Sequence, residues 1–94
     1  MINFTGIIKA KMQLDTAPKY INTNSIKYVM PLGNSSYVNY DISDIYYTDN
    51  SYHDSSNIPP EIWAKAILKA EKSDEIIDIE EFAKAEENKL DIEG

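Results

Sequence analysis

Cysteine is absent from the 94-residue chain, and this absence excludes a whole group of chemistries. Disulfides, thiol nucleophiles, thiolate metal sites and iron–sulfur clusters all require a cysteine sulfur. A secreted domain of this size usually needs disulfide bonds for stability, so the composition favours a reducing, intracellular compartment. The sequence also begins without the pattern of a signal peptide, and no apolar run has the length of a membrane span. We therefore expect a cytoplasmic protein that makes no membrane contact.

Arginine is absent as well, and the only glycines are Gly6, Gly33 and Gly94. Phosphate recognition relies on basic clusters and arginine forks, so we expect no direct binding of nucleic acid. So few glycines leave no nucleotide-binding loop, dinucleotide fingerprint or nucleophile elbow in the sequence. The pattern places most of the carboxylates on a solvated helix face. General acid–base catalysis needs a carboxyl group with a raised pKa in a dry pocket, so this position does not favour it. We therefore expect no enzymatic activity and no cofactor.

The net charge of −7 is concentrated in the second half of the chain. Residues 1–48 carry four lysines against three aspartates, whereas residues 49–94 carry five lysines against thirteen acids. An acidic surface repels phosphates and attracts basic protein surfaces. The length fits a single small domain over residues 1–94, with a β-rich part over 1–48 and a helical, acidic part over 58–90.

Alternation of apolar and polar residues predicts β-strands in the N-terminal half. The first segment, residues 2–14, places Ile2, Phe4, Ile8, Ala10, Met12 and Leu14 on one face, with a bend or bulge at Gly6. Strand patterns continue over residues 19–32 and 37–48, separated by a hairpin loop. Residues 22–25 are either a tight turn between two short strands or the exposed middle of one strand. The polar residues 49–57 are expected to form a loop.

The periodicity changes after residue 57, where Pro59 and Pro60 indicate the start of a helix capped by Asn57 or a nearby serine. Its apolar stripe consists of Ile62, Trp63, Ala66, Ile67 and Ala70, with Trp63 as the core anchor. We expect the helix to end at Ser73-Asp74.

Residues 75–79 fit either a short final strand or part of a long helix. The sequence from Asp78 to Glu81 resembles a capping box, which favours a new helix that starts near Ile79. The order of elements predicts an α+β fold. We expect a small antiparallel sheet of three to five strands in the N-terminal half, followed by two C-terminal helices, the last one acidic.

The single histidine, His53, lies near Asp49 and Asp54, and imidazole and carboxylate groups together suit divalent metal ions. The spacing does not fit a calcium-binding EF-hand loop, because the glycine position holds Asp54 and the closing glutamate position holds Pro60. We interpret the segment as a polar surface loop without a metal. A small metal-dependent enzyme at this loop is the least favoured of three functional hypotheses.

All seven tyrosines lie between residues 20 and 52. Three interpretations are open: ring packing on the strands, a protein contact surface, or a platform that stacks bases. A base-stacking platform would need more basic residues than the nearby lysines supply. By the period-two count, Tyr28 and Tyr40 face the core, whereas Tyr37 and Tyr47 face outward and are candidate contact residues.

The C-terminal acids also have more than one interpretation. They form either a solvated face that keeps the chain in solution, or an array of carboxylates that imitates a phosphate backbone and occupies the basic groove of a nucleic-acid-binding protein. The candidate partner-binding residues are Glu71, Asp74, Glu75, Asp78, Glu80, Glu81, Glu86 and Glu87, together with Tyr37 and Tyr47.

Isoleucine, lysine, asparagine and tyrosine make up 38 of the 94 residues, which we interpret as coding in an AT-rich genome such as that of a low-GC bacterium or its phage. We therefore hypothesise a protein-binding module, an inhibitor or regulator from a phage or mobile element that docks on a basic, nucleic-acid-handling host protein such as a defence nuclease. The alternative is a structural or assembly subunit, such as a small virion component, that self-associates through sheet edges and has no catalytic activity.

Overall fold

The computed structural model describes residues 6–33 and 36–93, and within them it confirms an α+β fold. Six strands, a short 3-10 turn at Thr23–Ser25 and two helices follow one another along the chain. They are β1 Ile7–Ala10, β2 Lys19–Asn22, β3 Ile26–Gly33, β4 Val38–Tyr47, β5 His53–Ser56, α1 Pro60–Lys72, β6 Ile76–Asp78 and α2 Ile79–Glu93.

The strands form two three-stranded sheets, so the prediction of one antiparallel sheet is wrong in its details. The first sheet has the order β2-β1-β6; β1 pairs antiparallel with β2 and parallel with β6, which makes it mixed. The second sheet, β3-β4-β5, is antiparallel throughout. The 3-10 turn separates β2 from β3 and directs the chain from one sheet into the other, which confirms a turn at residues 22–25.

The first strand is shorter than the alternation predicted. Ile8, Ala10 and Met12 are buried as expected, but Leu14 is 97% exposed. The chain turns after Met12, where the N–H of Asp15 donates to the carbonyl of Met12 at 3.1 Å, so Leu14 leaves the core face. The expected core residues Ile2 and Phe4 lie outside the described residues.

The segment predicted to be a loop contains β5, and polar contacts explain why. Residues 53–56 pair with residues 43–46 of β4. The hydroxyl of Ser55 donates to Asp44 Oδ1 at 2.7 Å, and that of Ser56 accepts from the indole Nε1–H of Trp63 at 2.9 Å. These serines therefore occupy buried or half-buried strand positions with their hydrogen bonds satisfied, which composition alone does not reveal.

The first helix keeps its predicted stripe but lacks the predicted cap. Pro59 occupies the N-cap position without a side-chain hydrogen bond, whereas Asn57 accepts a hydrogen bond from the side chain of Gln13. Pro60 occupies the first helical position, where proline is favoured because its missing N–H would be unpaired anyway. The helix ends at Lys72 before Ser73, as expected.

The short strand considered for residues 75–79 is confirmed, and the alternative of one long helix through them is wrong, because α1 ends at Lys72. Ile76–Asp78 is a strand, and α2 follows it at once from Ile79. Asp78 Oδ1 accepts hydrogen bonds from the N–H groups of Glu80 and Glu81 at 3.1 and 3.3 Å, which confirms a capped helix start at this point.

The core lies between the two sheets and α1. It consists of Ile8, Ala10, Met12, Ile21, Ile45, Tyr47, Trp63, Ala66, Ala70, Ile77 and Ile79. Trp63 is fully buried, which confirms it as the anchor of α1. Gly6 lies so close to Ala70 that a Cβ at this position would overlap the helix backbone, so the absence of a side chain allows the close approach.

We predict that Ser56→Ala destabilises the fold by about 1–3 kcal/mol, because the buried indole N–H of Trp63 then loses its acceptor. Urea unfolding followed by tryptophan fluorescence measures the change. Ser51→Ala removes an exposed serine hydroxyl from the preceding turn and serves as the matched control, with an expected change within about 0.5 kcal/mol. Equal stability of the two variants would contradict the role given to the Ser56–Trp63 hydrogen bond.

Candidate partner-binding surface

The candidate acids of α2 do not all face outward. Glu80, Glu81 and Glu87 are exposed, whereas the side chain of Glu86 is only 14% exposed. Its Oε1 lies 3.4 Å from Nζ of Lys65 on α1. Glu86 falls one turn after Phe82 on the side of α2 that packs against the rest of the molecule. Glu86 therefore helps to hold the two helices together, and it is not part of the outward array.

Asp78 also has an internal role. Besides capping α2, its carboxylate lies 3.9 Å from Nζ of Lys9 on the paired strand β1. The other candidate acids, which we call the acidic surface, are exposed at the end of α1, in the following connection and on α2. They are Glu71, Asp74, Glu75, Glu80, Glu81 and Glu87.

Tyr28, Tyr40 and Tyr47 lie on faces opposite to those predicted. Tyr28 and Tyr40 are 46% and 69% exposed, whereas Tyr47 is 8% exposed and belongs to the core. Tyr37 is exposed, as expected for a contact residue. Tyr47 offers little surface to a partner, and its hydroxyl is already bound within the protein.

On β4, the apolar alternation over residues 38–42 precedes an irregularity in the strand pairing. Leu32 pairs with Asn39 but the adjacent Pro31 pairs with Ser43, so residues 40–42 are extra residues in β4. The alternation of apolar residues before this point therefore does not report which face of β4 meets the core. Ile45, which is fully buried, defines the core face, and Tyr47 shares it.

An aromatic row crosses the outer face of the second sheet, with one ring from each strand. The ring centroids of Tyr28 and Tyr46 are 4.9 Å apart, and those of Tyr46 and His53 are 4.8 Å apart. The row cannot be predicted from the sequence, because it depends on the cross-strand register. The row covers the sheet with flat, partly exposed rings, a surface suited to apolar contact with a protein partner.

The three residues considered for a metal site are not brought together. His53 and Asp54 are neighbours on β5 and point to opposite faces, and the carboxylate of Asp49 accepts hydrogen bonds from Ser51. In the described part of the chain, no group of three His, Cys, Asp or Glu side chains is placed to hold a metal ion.

Asp54 instead forms the centre of a half-buried polar network between the two sheets. Its Oδ2 accepts a hydrogen bond from the hydroxyl of Tyr47 at 2.5 Å and lies 3.3 Å from Nζ of Lys19. Lys19 Nζ is also 3.5 Å from Oδ1 of Asp15. The network joins β2, the preceding loop, β4 and β5, and it borders a surface cavity of about 250 Å³.

Two pKa values in this network are displaced upward. Burial raises the pKa of the Tyr47 phenol well above its usual range, and the hydrogen bond to Asp54 raises it further. For Lys19, burial lowers the pKa, but the hydrogen bond and negative charge of Asp54 outweigh this effect and give a net rise. Both groups therefore keep their protons to higher pH in the folded protein than in the unfolded chain.

The chain matches no protein-family model, and no curated protein or solved structure is significantly similar to it. Over the ranges 6–33 and 36–93, no helix is long and apolar enough to cross a membrane. What the protein does is therefore inferred from its own surface chemistry.

The raised pKa of Tyr47 predicts how stability depends on alkaline pH. A tyrosine ionises near pH 10 in an unfolded chain, but Tyr47 stays protonated there in the folded protein. Its stabilising contribution is therefore complete below about pH 10 and is lost as the pH rises further. Urea unfolding between about pH 8 and pH 11 should show this loss, with a shallower decline in Tyr47→Phe.

Tyr40→Phe is the matched control, because Tyr40 is an exposed tyrosine on the same strand. We expect its pH profile to follow that of the wild type. If Tyr47→Phe retains the full alkaline decline, ionisation of the buried Tyr47 phenol is not the cause of that decline.

Proposed function

We propose that this protein is a cytoplasmic, acidic protein-binding module that docks on a basic, nucleic-acid-handling protein and inhibits or regulates it. The observation that carries the proposal is the lack of internal charge partners on the acidic surface. Within the described residues, ion pairs engage Asp78 and Glu86 but none of the six exposed acids of that surface. Their charge is therefore available to an external partner.

Electrostatics supports a basic partner. Exposed charges of one sign combine into a field that speeds the association of an oppositely charged surface and selects against like-charged ones. Glu80 and Glu87 are two helical turns apart on one side of α2, which separates their positions by about 10 Å along the axis. Together with Glu81 and with the exposed Lys84 between them, these carboxylates leave net negative charge along a rod, as a phosphate backbone does. The proposal therefore includes imitation of nucleic acid.

The high content of isoleucine, lysine, asparagine and tyrosine, which we interpret as coding in an AT-rich genome, supports an origin in a phage or mobile element. The partner would then be a defence nuclease of the host. The exposed aromatic row and Tyr37 supply apolar contact area that the acidic surface lacks. Charge would set the rate and selectivity of docking, and the rings would slow dissociation.

A second candidate function is self-association as a structural or assembly subunit. The β3–β4 hairpin favours it, because it exposes apolar side chains next to an unpaired strand edge. These residues are Tyr28, Met30, Leu32, Val38 and Tyr40. This function requires a defined oligomer at micromolar concentration with little dependence on salt, and sedimentation as a monomer would exclude it.

We predict that Glu80→Lys/Glu87→Lys abolishes capture of a basic, nucleic-acid-binding protein from the lysate of a low-GC bacterium at about 50 mM salt. Once the captured protein is identified, surface plasmon resonance should show an association rate reduced about tenfold or more. The physical reason is that two of the unpaired charges facing the partner are reversed.

Asp41→Lys/Asp49→Lys is the matched control, because it changes the net charge equally at two exposed acids outside the acidic surface. We expect this variant to capture the partner like the wild type. Equal capture by both double variants, or an affinity of the wild type that does not fall with rising salt, would exclude docking through the acidic surface.

A further inference from the structure

A groove with a volume of about 360 Å³ lies between β3 and α1. Residues 26–29 form one wall, and Pro60, Ala64, Ile67 and Glu71 form the other. Side chains of successive strand residues point to opposite faces of a sheet. Tyr28 belongs to the aromatic row on the outer face of the sheet, whereas α1 forms the opposite wall, so a groove bounded by both runs along the edge of β3.

The edge of β3 that faces this groove is unpaired. β3 is the outermost strand of its sheet, with β4 on its other side. Within the described residues, no backbone hydrogen bond beyond the β3–β4 ladder involves residues 27–33. By contrast, the carbonyl of Ser55 on the opposite edge strand accepts a hydrogen bond from the N–H of Gln13. Alternate N–H and C=O groups of β3 are therefore free to bind another extended chain.

The wall from α1 supplies side chains and no free backbone. Its residues are spaced by four, three and four positions, which places them in one stripe along the helix. The backbone groups in the middle of a helix are already paired within it. Ala64 has a small, exposed side chain in the middle of the stripe, which keeps the groove open.

One end of the groove carries unpaired polar groups and a negative charge. Glu71 has no ion pair among the residues that the structure describes. Thr23 also lines the groove, and its buried hydroxyl has no hydrogen-bond partner in that part of the chain. The ammonium of Lys27 is held by Asn50 Oδ1 at 3.0 Å. Asn50 is outside the groove lining, so the ammonium of Lys27 keeps its charge but is directed away from the groove. Glu71 is therefore the charged group at this end that a lysine or arginine can meet.

We propose that an extended segment of the basic partner binds in this groove as an additional strand on β3. Its backbone pairs with the free edge, its apolar side chains contact Ile26 and Ile67, and a lysine or arginine reaches Glu71. Residues 26–29 span about 10 Å of strand, so a segment of about four or five residues fills the groove. This inference rests on the proposed function and names the part of the partner that is recognised.

Selection of random linear peptides of about ten residues, displayed on phage, tests the groove with a defined probe. We expect enriched peptides with alternating β-branched or aromatic residues and a lysine or arginine near one end. Ala64→Trp should fill the groove and weaken their binding tenfold or more, and Glu71→Gln should weaken it a few-fold. Ala85→Trp adds the same side chain at an exposed alanine of α2 and should bind the peptides like the wild type.

Backbone N-methylation of a selected peptide distinguishes strand addition from apolar contact alone. In a paired strand, alternate N–H groups face the neighbouring strand. Methylation of one alternate set of peptide nitrogens should therefore weaken binding about tenfold or more, whereas methylation of the other set should be tolerated. This test leaves the protein unchanged, so it does not depend on the folding of a variant. Equal effects of the two methylation patterns would overturn the proposal.

The remaining outcomes separate the groove from the acidic surface. If no peptide is enriched, or if the peptides bind Ala64→Trp and the wild type equally, the proposal that an extended segment binds in the groove is overturned. The proposed function is not affected by either result. If the wild type is a dimer and Ala64→Trp is a monomer, the groove binds a second copy of the chain. This result would overturn the proposal that a segment of the partner binds there. The Glu80→Lys/Glu87→Lys variant should bind the selected peptides normally. If it also retains capture of the partner, the proposed function fails although the groove binds peptides.

Discussion

The buried indole of Trp63 is the contact on which the arrangement of the two sheets depends. Its Nε1–H donates to Ser56 Oγ on β5, which ties α1 to the second sheet. On the same helix, Ala70 packs against Gly6 at the start of the first sheet. Burial of a large aromatic side chain contributes on the order of 2–3 kcal/mol, and the hydrogen bond fixes its direction. We therefore regard α1 as the element that unites two small sheets, neither of which has a core of its own.

The position of α1 also determines what the molecule presents to a partner. The helix lies beside the free edge of β3, which creates the groove, and its Lys65 holds α2 through Glu86. The acids of the C-terminal segment thus divide into two sets. Asp78 and Glu86 are paired within the protein and orient α2, while the acidic surface has no ion pair with the residues that the structure describes. A negative helix, an aromatic sheet face and an open strand edge are thus all placed by contacts with α1 or with the sheets that it joins.

Local features of the fold could be predicted from the sequence, whereas long-range pairing could not. The start of α2 at Ile79 and the stripe around Trp63 follow from hydrogen bonds and periodicity within a few residues. β5 was missed because Ser55 and Ser56 become strand residues only through contacts with Asp44 and Trp63. Tyr47 was predicted to face outward because the apolar alternation over residues 38–42 marks the face of β4 opposite to the buried Ile45. Glu86 was predicted to face outward because its charge alone does not reveal that Lys65 of α1 lies opposite its carboxylate.

Native-state hydrogen exchange by NMR tests most directly whether α1 unites both sheets into one cooperative unit. The probes are the indole N–H of Trp63 and the most protected amides of β1 and β4, which belong to different sheets. We expect all of them to exchange with the same free energy, equal to that of global unfolding, and with the same dependence on urea. Exchange of one sheet at a clearly lower free energy than the other would show that the sheets unfold separately, which would contradict this account.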